Sequence, residues 1–234
     1  MIVNVVECLS GAQRAKGLVI IVDVFRSTTL GCFLVAGGAA EYIVTDSLDR
    51  ARAMAAERGG KVIGELVDVP TSEFDYLNSP ALIEKADIRG KTLLHVTNAG
   101  TRGLMVCTEA DEILMGSFVN AKAVVDYVRA KQPEVVTLVA MGTGGTMRAQ
   151  EDMMCAMYIK NEIEEYPNSF KTLKKFLRDV DTAAKFFDDD REDCPEEDFD
   201  LCMDLDRFDF VLKGEPIEGG VRLVKVPVPG GQSA

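Results

Sequence analysis

The fold class of this chain is decided by Leu18-Val19-Ile20-Ile21-Val22-Asp23-Val24-Phe25-Arg26-Ser27-Thr28-Thr29. Its first half is a continuous apolar, β-branched run, which predicts a strand over Leu18–Val24 that is buried on both faces of a parallel sheet. The pattern then changes to helical spacing over Thr29–Ala36, and Gly37-Gly38 ends that predicted helix. A buried strand that leads directly into a helix opens a βαβ unit, so the stretch indicates an α/β protein.

The same alternation of strand and helix patterns continues as far as about residue 165. Further strands are predicted over Glu41–Thr45, Lys61–Gly64, Lys91–Thr97, Glu112–Gly116 and Glu134–Met141. Helices are predicted up to residue 58 from a cap at Asp46 or Ser47, and over 101–108, 120–131 and 150–165. This order predicts an α/β fold with a layered sheet and helices on both faces.

Two segments, residues 18–65 and 91–142, show the same order of elements. When they are overlaid, Asp23 aligns with Asn98. We interpret them as diverged β-α-β-α-β repeats of an internal duplication, inside a single α/β domain over residues 1–226. The late runs Phe208–Leu212 and Val221–Val226 predict a hairpin at the sheet edge, and residues 227–234 are predicted to be a disordered tail.

The charge of the chain limits its partners. The 234 residues carry a formal net charge of −12, with a pI of about 4.7. Such a surface repels nucleic acid and anionic lipid, and the sequence has no basic patch that would reverse this. Residues 165–209 hold 15 acidic and 7 basic side chains, so the remaining chain is only mildly acidic. A small anionic metabolite therefore remains a suitable ligand for a few arginines.

The cysteines and the N-terminus favour a cytoplasmic location. Six cysteines are scattered without C-x-x-C spacing, the chain begins with a strand-like run, and no apolar run reaches the ~18 residues of a membrane span. We expect no membrane partner, and the sequence is compatible with a monomer or a homo-oligomer. Cys8 and Arg14 match the C-x5-R pattern of thiolate phosphatases, but the loop leads into a strand, so we interpret the match as accidental.

Polar residues gather at the predicted end of the first buried strand. Asp23 and Arg26 follow the apolar run, and the hydroxyl residues Ser27, Thr28 and Thr29 open the helix. An arginine can bind two phosphate oxygens at once, and free N–H groups at a helix start accept an anion. The alternative is an aspartate that caps the helix and an arginine paired with a surface acid. Because ligands of open α/β sheets gather at strand ends, we favour a functional site.

Two further strand ends complete the predicted site. Asn98, Thr101 and Arg102 occupy the equivalent turn of the second repeat, and Gly144 lies in a glycine-rich loop. Magnesium prefers a few carboxylates together with water and substrate phosphate. Carboxylates for such a site are predicted at four positions, which are Asp23, Glu65, Glu151 and Asp152. His95 is the only histidine, and its apolar strand predicts a hydrogen-bonded core residue.

Several ordered segments carry a family resemblance. They are residues 22–29 (Val-Asp-Val-Phe-Arg-Ser-Thr-Thr), 74–80 (Phe-Asp-Tyr-Leu-Asn-Ser-Pro), 97–102 (Thr-Asn-Ala-Gly-Thr-Arg), 116–121 (Gly-Ser-Phe-Val-Asn-Ala), 150–152 (Gln-Glu-Asp) and 204–206 (Asp-Leu-Asp). These segments resemble the motifs of the 2-phosphosulfolactate phosphatases over nearly the whole chain. The chain departs from the family pattern at Leu66, where many members have arginine, and in the Asn98–Thr101 turn, which is one residue longer.

The resemblance implies magnesium-dependent hydrolysis of 2-phospho-3-sulfolactate to 3-sulfolactate and phosphate, as in coenzyme M biosynthesis. In this hypothesis Asp23 and Arg26 are catalytic, and Ser27, Thr28, Thr29, Asn98, Thr101, Arg102 and Gly144 bind the substrate. Nucleophilic attack by Asp23 and attack by water both remain open. Two other functions also remain open, a phosphatase of another phospho-hydroxy acid or sugar phosphate, and an inactive anion-binding relative. We expect neither Asp23 nor Arg26 to fill the core.

Overall fold

The computed structural model describes residues 1–228, which fold around one sheet of ten strands. The strands are β1 (Ile2–Glu7), β2 (Gly17–Val22), β3 (Glu41–Val44), β4 (Lys61–Glu65), β5 (Tyr76–Leu77), β6 (Thr92–Thr97), β7 (Ala110–Gly116), β8 (Val135–Ala140), β9 (Phe210–Ile217) and β10 (Gly220–Pro227). The strands predicted before residue 165 are all present, with ends shifted by one or two residues.

Helices cover both faces of the sheet, as predicted. They are α1 (Cys8–Ala12), α2 (Ser27–Ala36), α3 (Leu48–Arg58), α4 (Pro80–Glu84), α5 (Gly100–Val106), α6 (Ala121–Lys131), α7 (Gln150–Ile163), α8 (Phe170–Leu177) and α9 (Glu197–Cys202). Ser47 caps α3, since its side chain accepts a hydrogen bond from the Arg50 N–H. The layered α/β class is therefore confirmed.

The strand order is β1-β8-β2-β7-β9-β10-β3-β6-β4-β5. Strands β1, β8, β2 and β7 form one parallel half, and β3, β6, β4 and β5 form the other. The hairpin β9-β10 joins the halves by antiparallel pairing. The prediction of a hairpin at the sheet edge was wrong, because a local strand pattern carries no information about which distant strands will pair with it.

The two parallel halves run in opposite directions along the sheet, because β9 and β10 are antiparallel to each other and to their outer neighbours. In a flat sheet the carboxyl ends of the strands in the two halves would therefore point in opposite directions, far from one another. Asp23, just after β2, nevertheless accepts a hydrogen bond from the Gly100 N–H, which follows β6. The sheet must therefore curl until the carboxyl ends of both halves meet, which places the site between them.

Alternate residues of β2 pack into two different cores, as expected for a strand that is buried on both faces. Ile20 and Val22 belong to a core that α6 and α7 cover. Val19 and Ile21 belong to a core that collects residues from strands of both halves. A third, smaller core lies under α3 and belongs to the second half alone. The shared core is the one enclosed by the curl of the sheet.

The proposed repeats are interleaved in this sheet. In each half, the first strand of one repeat lies between the second and third strands of the other, which gives β8-β2-β7 and β4-β6-β3. The duplication itself stays a prediction. Of the predicted tail, Pro227 ends β10 and Val228 is buried, while 229–234 lie outside the described residues. Within residues 1–228, no helix has the length and apolar character needed to cross a membrane.

Candidate active site

A cavity of about 550 Å³ lies at the meeting point of the strand ends. Eight of the residues predicted for the site line it, namely Asp23, Arg26, Ser27, Glu65, Asn98, Gly144, Glu151 and Asp152. They come from the ends of β2, β4 and β6, the loop after β8 and the start of α7. The strand ends and the start of α7 thus bring together side chains that are up to 129 positions apart in the sequence.

Asp23 is buried and is held by backbone N–H groups from both halves of the protein. One carboxylate oxygen accepts from Ser27 N–H at 3.2 Å, and the other accepts from Gly100 N–H at 2.8 Å. A Cβ on residue 100 would lie 2.7 Å from that second oxygen and 2.6 Å from Ser27 Oγ. Only glycine allows this approach, so the Asn98–Thr101 turn is built to fit the Asp23 carboxylate.

Asp152 is also buried, and it joins the ends of β2 and β8. Its two carboxylate oxygens accept from the Val24 N–H at 2.7 Å and the Gly142 N–H at 2.8 Å. Residue 142 has a φ of +69°, and a Cβ there would lie 2.0 Å from the Met147 carbonyl oxygen, so it must be glycine. Glu151, the preceding residue, is buried and accepts from the Thr182 hydroxyl at 2.6 Å.

The pKa values of these three carboxyl groups are all raised, so each binds a proton more readily than usual. Burial raises the pKa of Asp23 to about 6, although the Ser27 N–H and the positive charge of Lys185 oppose this shift. Burial, together with the negative charges of Asp23 and Glu151, raises the pKa of Asp152 well above its usual range. Burial also raises the pKa of Glu151. Carboxylates crowded in this way favour either bound protons or a bound divalent cation.

Arg26 is a core residue, contrary to our expectation. Its side chain is only 1% exposed, and its Nη1 donates to Asp198 Oδ2 and to the Asp193 carbonyl oxygen, both at 2.7 Å. Its Nη2 donates to Glu65 Oε2 at 2.9 Å. Both ends of the guanidinium are therefore already occupied by protein acceptors. The sequence did not reveal this, because Asp198 lies 172 positions away in the acidic C-terminal segment.

Glu65 is fixed by a chain of buried hydrogen bonds. Burial opposes ionisation of Glu65, but the positive charges of Arg26 and Lys185 outweigh it and lower the pKa of this carboxyl. Asn78 Nδ2 also donates to Glu65, and Asn78 Oδ1 accepts from His95 Nε2 at 3.1 Å. His95 Nδ1 is then left to accept from the Tyr42 hydroxyl at 2.8 Å. Burial lowers the pKa of His95 to about 3, so the predicted core histidine is confirmed and is neutral.

Four of the predicted substrate-binding residues do not line the cavity. The Thr28 hydroxyl contacts the carbonyl oxygens of Asp23 and Gly116, the Thr29 hydroxyl donates to the Val24 carbonyl, and the Thr101 hydroxyl donates to the Thr97 carbonyl. Arg102 lies on the exposed face of α5. The structure thus gives Thr28 a role in joining the ends of β2 and β7, whereas the other two hydroxyls donate to carbonyls of their own turns. The sequence pattern could not show whether a hydroxyl faces a ligand or the backbone.

Lys185 is the cavity residue that sequence reasoning missed. It lies in the 3-10 helix Asp181–Phe187, lines the cavity beside Thr182, and donates to the Phe25 carbonyl oxygen at 3.0 Å. In the described cavity wall the basic side chains are Lys185 and Arg26, and Arg26 is bound to acids. No sequence signal distinguishes Lys185, because it lies in a strongly acidic segment that does not itself follow a strand.

The donor set of the cavity fits a hard divalent cation. Asp23, Glu151 and Asp152 supply buried carboxylate oxygens, which are the ligand type that a hard divalent cation prefers, and burial raises the pKa of all three. The four predicted carboxylates do not converge to within 4.8 Å as a set of three or more, so water and substrate oxygens would complete the shell. Cys8 does not line this cavity, and burial and Glu7 raise the pKa of its thiol.

Arg26→Met should lower the free energy of unfolding by about 3–5 kcal/mol, because the buried Asp198 carboxylate loses its ionic partner. The measurement is chemical denaturation at neutral pH. Arg222→Met is the matched control, since Arg222 pairs with Glu215 at an exposed site, and it should cost less than about 1 kcal/mol. Equal losses in the two variants would contradict the buried ion pair.

Thr28→Val should lower the free energy of unfolding by about 1–3 kcal/mol, because two buried backbone carbonyls lose a hydroxyl partner. The turnover of the folded enzyme should stay close to that of wild type. Denaturation and turnover are to be measured on the same preparation. A large loss of turnover without loss of stability would contradict this role and would indicate that Thr28 binds the substrate.

Comparisons with known proteins identify the family. A family model described as 2-phosphosulpholactate phosphatase matches residues 4–215. A probable 2-phosphosulfolactate phosphatase from Clostridium perfringens strain 13 is 29% identical over 234 residues, covering 91% of this chain and 94% of that protein. A protein of the same name from Bacillus subtilis is 29% identical, and the match covers 83% of this chain and 85% of that protein. Another from a Nostoc species is 35% identical, and the match covers 67% of this chain and 65% of that protein. The chain therefore belongs to the 2-phosphosulfolactate phosphatase family of phosphoric monoester hydrolases.

Proposed function

We propose that this protein is a magnesium-dependent phosphatase that hydrolyses 2-phospho-3-sulfolactate to 3-sulfolactate and inorganic phosphate. The observation that carries the proposal is the cavity at the joined strand ends, where Asp23, Glu151 and Asp152 lie close to Lys185. The names of the related proteins support the substrate. The six cysteines form no disulfide, which supports a reducing compartment such as the cytoplasm.

The acidic and basic residues of the cavity have different roles in this proposal. Asp23, Glu151 and Asp152 would hold magnesium, which offsets the negative charge of the phosphoryl group when it is bound. Within residues 1–228, Lys185 makes one hydrogen bond, to a backbone carbonyl, and so keeps N–H groups for phosphoryl oxygens. The positive-φ loop at Gly144 brings backbone close to the same space. Arg26 acts by holding Glu65 and Asp198, which is a positioning role.

Two chemical routes are consistent with this arrangement. In the first, the Asp23 carboxylate attacks phosphorus, the ester oxygen leaves with a proton, and water then hydrolyses the aspartyl-phosphate. In the second, water attacks phosphorus directly, a carboxylate takes the proton of that water, and the P–O ester bond breaks so that the ester oxygen leaves with a proton. Asp23 is well fixed for either role, because both of its oxygens accept backbone N–H groups. Trapping of labelled phosphate on Asp23 after rapid quenching would distinguish the first route from the second.

Asp23→Asn should reduce turnover of 2-phospho-3-sulfolactate by at least about 1000-fold, because it removes either the nucleophile or a metal-binding carboxylate. Phosphate release is to be measured across a panel of phospho-hydroxy acids and sugar phosphates, with and without magnesium. Arg222→Met is the control and should be fully active. If wild type released phosphate faster from another member of the panel, that compound would be the substrate instead. If wild type released phosphate from none of them, the protein would be an anion-binding protein.

Magnesium at about 10 mM should raise the melting temperature by several degrees near pH 7.5 and by much less near pH 5. The reason is that the Asp23 pKa of about 6 makes protons compete with the metal as the pH falls through 6. In the metal-free protein, the contribution of Asp23 to stability changes with pH in the opposite direction. Asp23 binds its proton more tightly when folded, so its contribution to stability falls as the pH rises from about 4 to about 6. A magnesium shift that is equal at both pH values would contradict the assigned carboxylates.

A further inference from the structure

A second cavity, of about 460 Å³, adjoins the first. The two cavities share five lining residues, which are Arg26, Glu65, Val67, Asn78 and Asn98. We call them the first lobe and the second lobe, because they lie on either side of these shared side chains. A ligand in the first lobe is therefore next to the second lobe.

The second lobe differs from the first in its chemistry. Asp23, Glu151 and Asp152 line only the first lobe, so the carboxylates that suit a divalent cation are absent from the described wall of the second. The second lobe instead combines apolar side chains such as Leu66 and Phe74 with Arg191. The charged side chains of its wall are Arg26, Glu65, Arg191 and Asp193. An apolar wall with a few fixed charged groups is a typical arrangement for recognising one end of a small ligand.

Arg191 is held in a fixed orientation. Its Nε and Nη2 donate to the two carboxylate oxygens of Asp193, each at 2.8 Å, and this pairing lowers the pKa of Asp193 to about 2. Nη1 has no acceptor among residues 1–228, and the side chain is 41% exposed. The Asp193 backbone carbonyl accepts from Arg26 Nη1, so the loop that carries Arg191 is tied to the catalytic side of the protein. The free Nη1 is therefore available to an anion without a rearrangement of the pair.

Arg26 supplies a second, independent indication of a ligand at the boundary of the lobes. It lines both lobes and is almost completely buried. Its Nε is the one buried side-chain nitrogen or oxygen in the described chain that lacks a hydrogen-bond partner. A buried donor without an acceptor destabilises a protein, and a bound anionic oxygen would satisfy it.

A metal ion is a poorer occupant of the second lobe. Ligand atoms of Glu65, Asp193 and Cys194 do lie within 4.8 Å of one another. Both carboxylates, however, are already paired with guanidinium groups, Glu65 with Arg26 and Asp193 with Arg191. Burial raises the pKa of the Cys194 thiol to about 11, so this sulfur stays protonated and ligates metal weakly.

We propose that the second lobe binds the sulfonate of the substrate and that Arg191, oriented by Asp193, is its specificity-determining residue. This inference rests on the proposed function, because it takes the first lobe as the phosphoryl site. The substrate carries its carboxylate on the same carbon as the phosphate ester, whereas the sulfur is bonded to the next carbon. The sulfonate is thus the anionic group that extends farther from the phosphorus, and it is the group that reaches a neighbouring lobe.

The test compares two substrates that differ only in the sulfonate, 2-phospho-3-sulfolactate and 2-phospholactate. Arg191→Met should reduce the preference of the enzyme for the sulfonated substrate by roughly 10- to 100-fold, mainly through KM. Arg191→Lys should have a smaller effect, because it keeps the charge and loses the planar fork. Arg222→Met should leave the preference unchanged, since Arg222 has a similar ion pair with Glu215 but lines neither lobe.

The outcomes separate this inference from the proposed function. If wild type hydrolyses both substrates and Arg191→Met leaves their kcat/KM ratio intact, the subsite is wrong while the phosphatase assignment stands. If wild type hydrolyses neither, calorimetric binding of 3-sulfolactate and of lactate replaces turnover. Tighter binding of 3-sulfolactate that is lost in Arg191→Met would then support the subsite. Equal affinity of wild type for the two compounds would overturn it.

Discussion

Buried carboxylates that accept backbone N–H groups hold the strand ends of this protein together, and the rest of the site depends on them. Asp152 joins the end of β2 to the loop after β8 through Val24 and Gly142. Asp23 joins the end of β2 to the turn after β6 through Gly100. Such contacts are strong, because a charged acceptor meets a donor that is fixed in the backbone. The same side chains therefore complete the curled sheet and supply the negative charge of the cavity.

This arrangement has an electrostatic consequence. Burial raises the pKa values of Asp23 and Asp152, and the nearby negative charges of other acids add to the rise. A positive charge close to these groups opposes the rise. Lys185 provides part of that charge from a segment that is otherwise strongly acidic. A divalent cation, which we propose for this cavity, would add to that positive charge. Structure and proposed chemistry thus have a common origin in the burial of these groups.

The acidic C-terminal segment is an integral part of the site. Asp198 is fully buried and accepts hydrogen bonds from Arg26, from the Ser79 hydroxyl and from the Ala81 N–H. Arg26, which the sequence suggested as a phosphate ligand, therefore holds this segment against the ends of β2 and β4. Arg191 is carried on the same segment, and its orientation by Asp193 places it beside the second lobe. The many charges of this segment suggest a solvent-exposed surface when only the sequence is considered, but some of them are buried in the structure.

The sequence by itself determined the α/β class, most element boundaries, the strand end that carries Asp23 and the helix start that carries Glu151 and Asp152. These features follow from local periodicity and from the rule that polar residues after buried strands converge, so they need no knowledge of distant contacts. Only the tertiary structure decided that the β9-β10 hairpin is central, that Thr28 faces the backbone, and that Arg26 pairs with Asp198. The physical reason is that each of these depends on pairing between groups far apart in the chain. Such pairing is selected by burial and hydrogen bonding across the whole fold, and no local pattern records it.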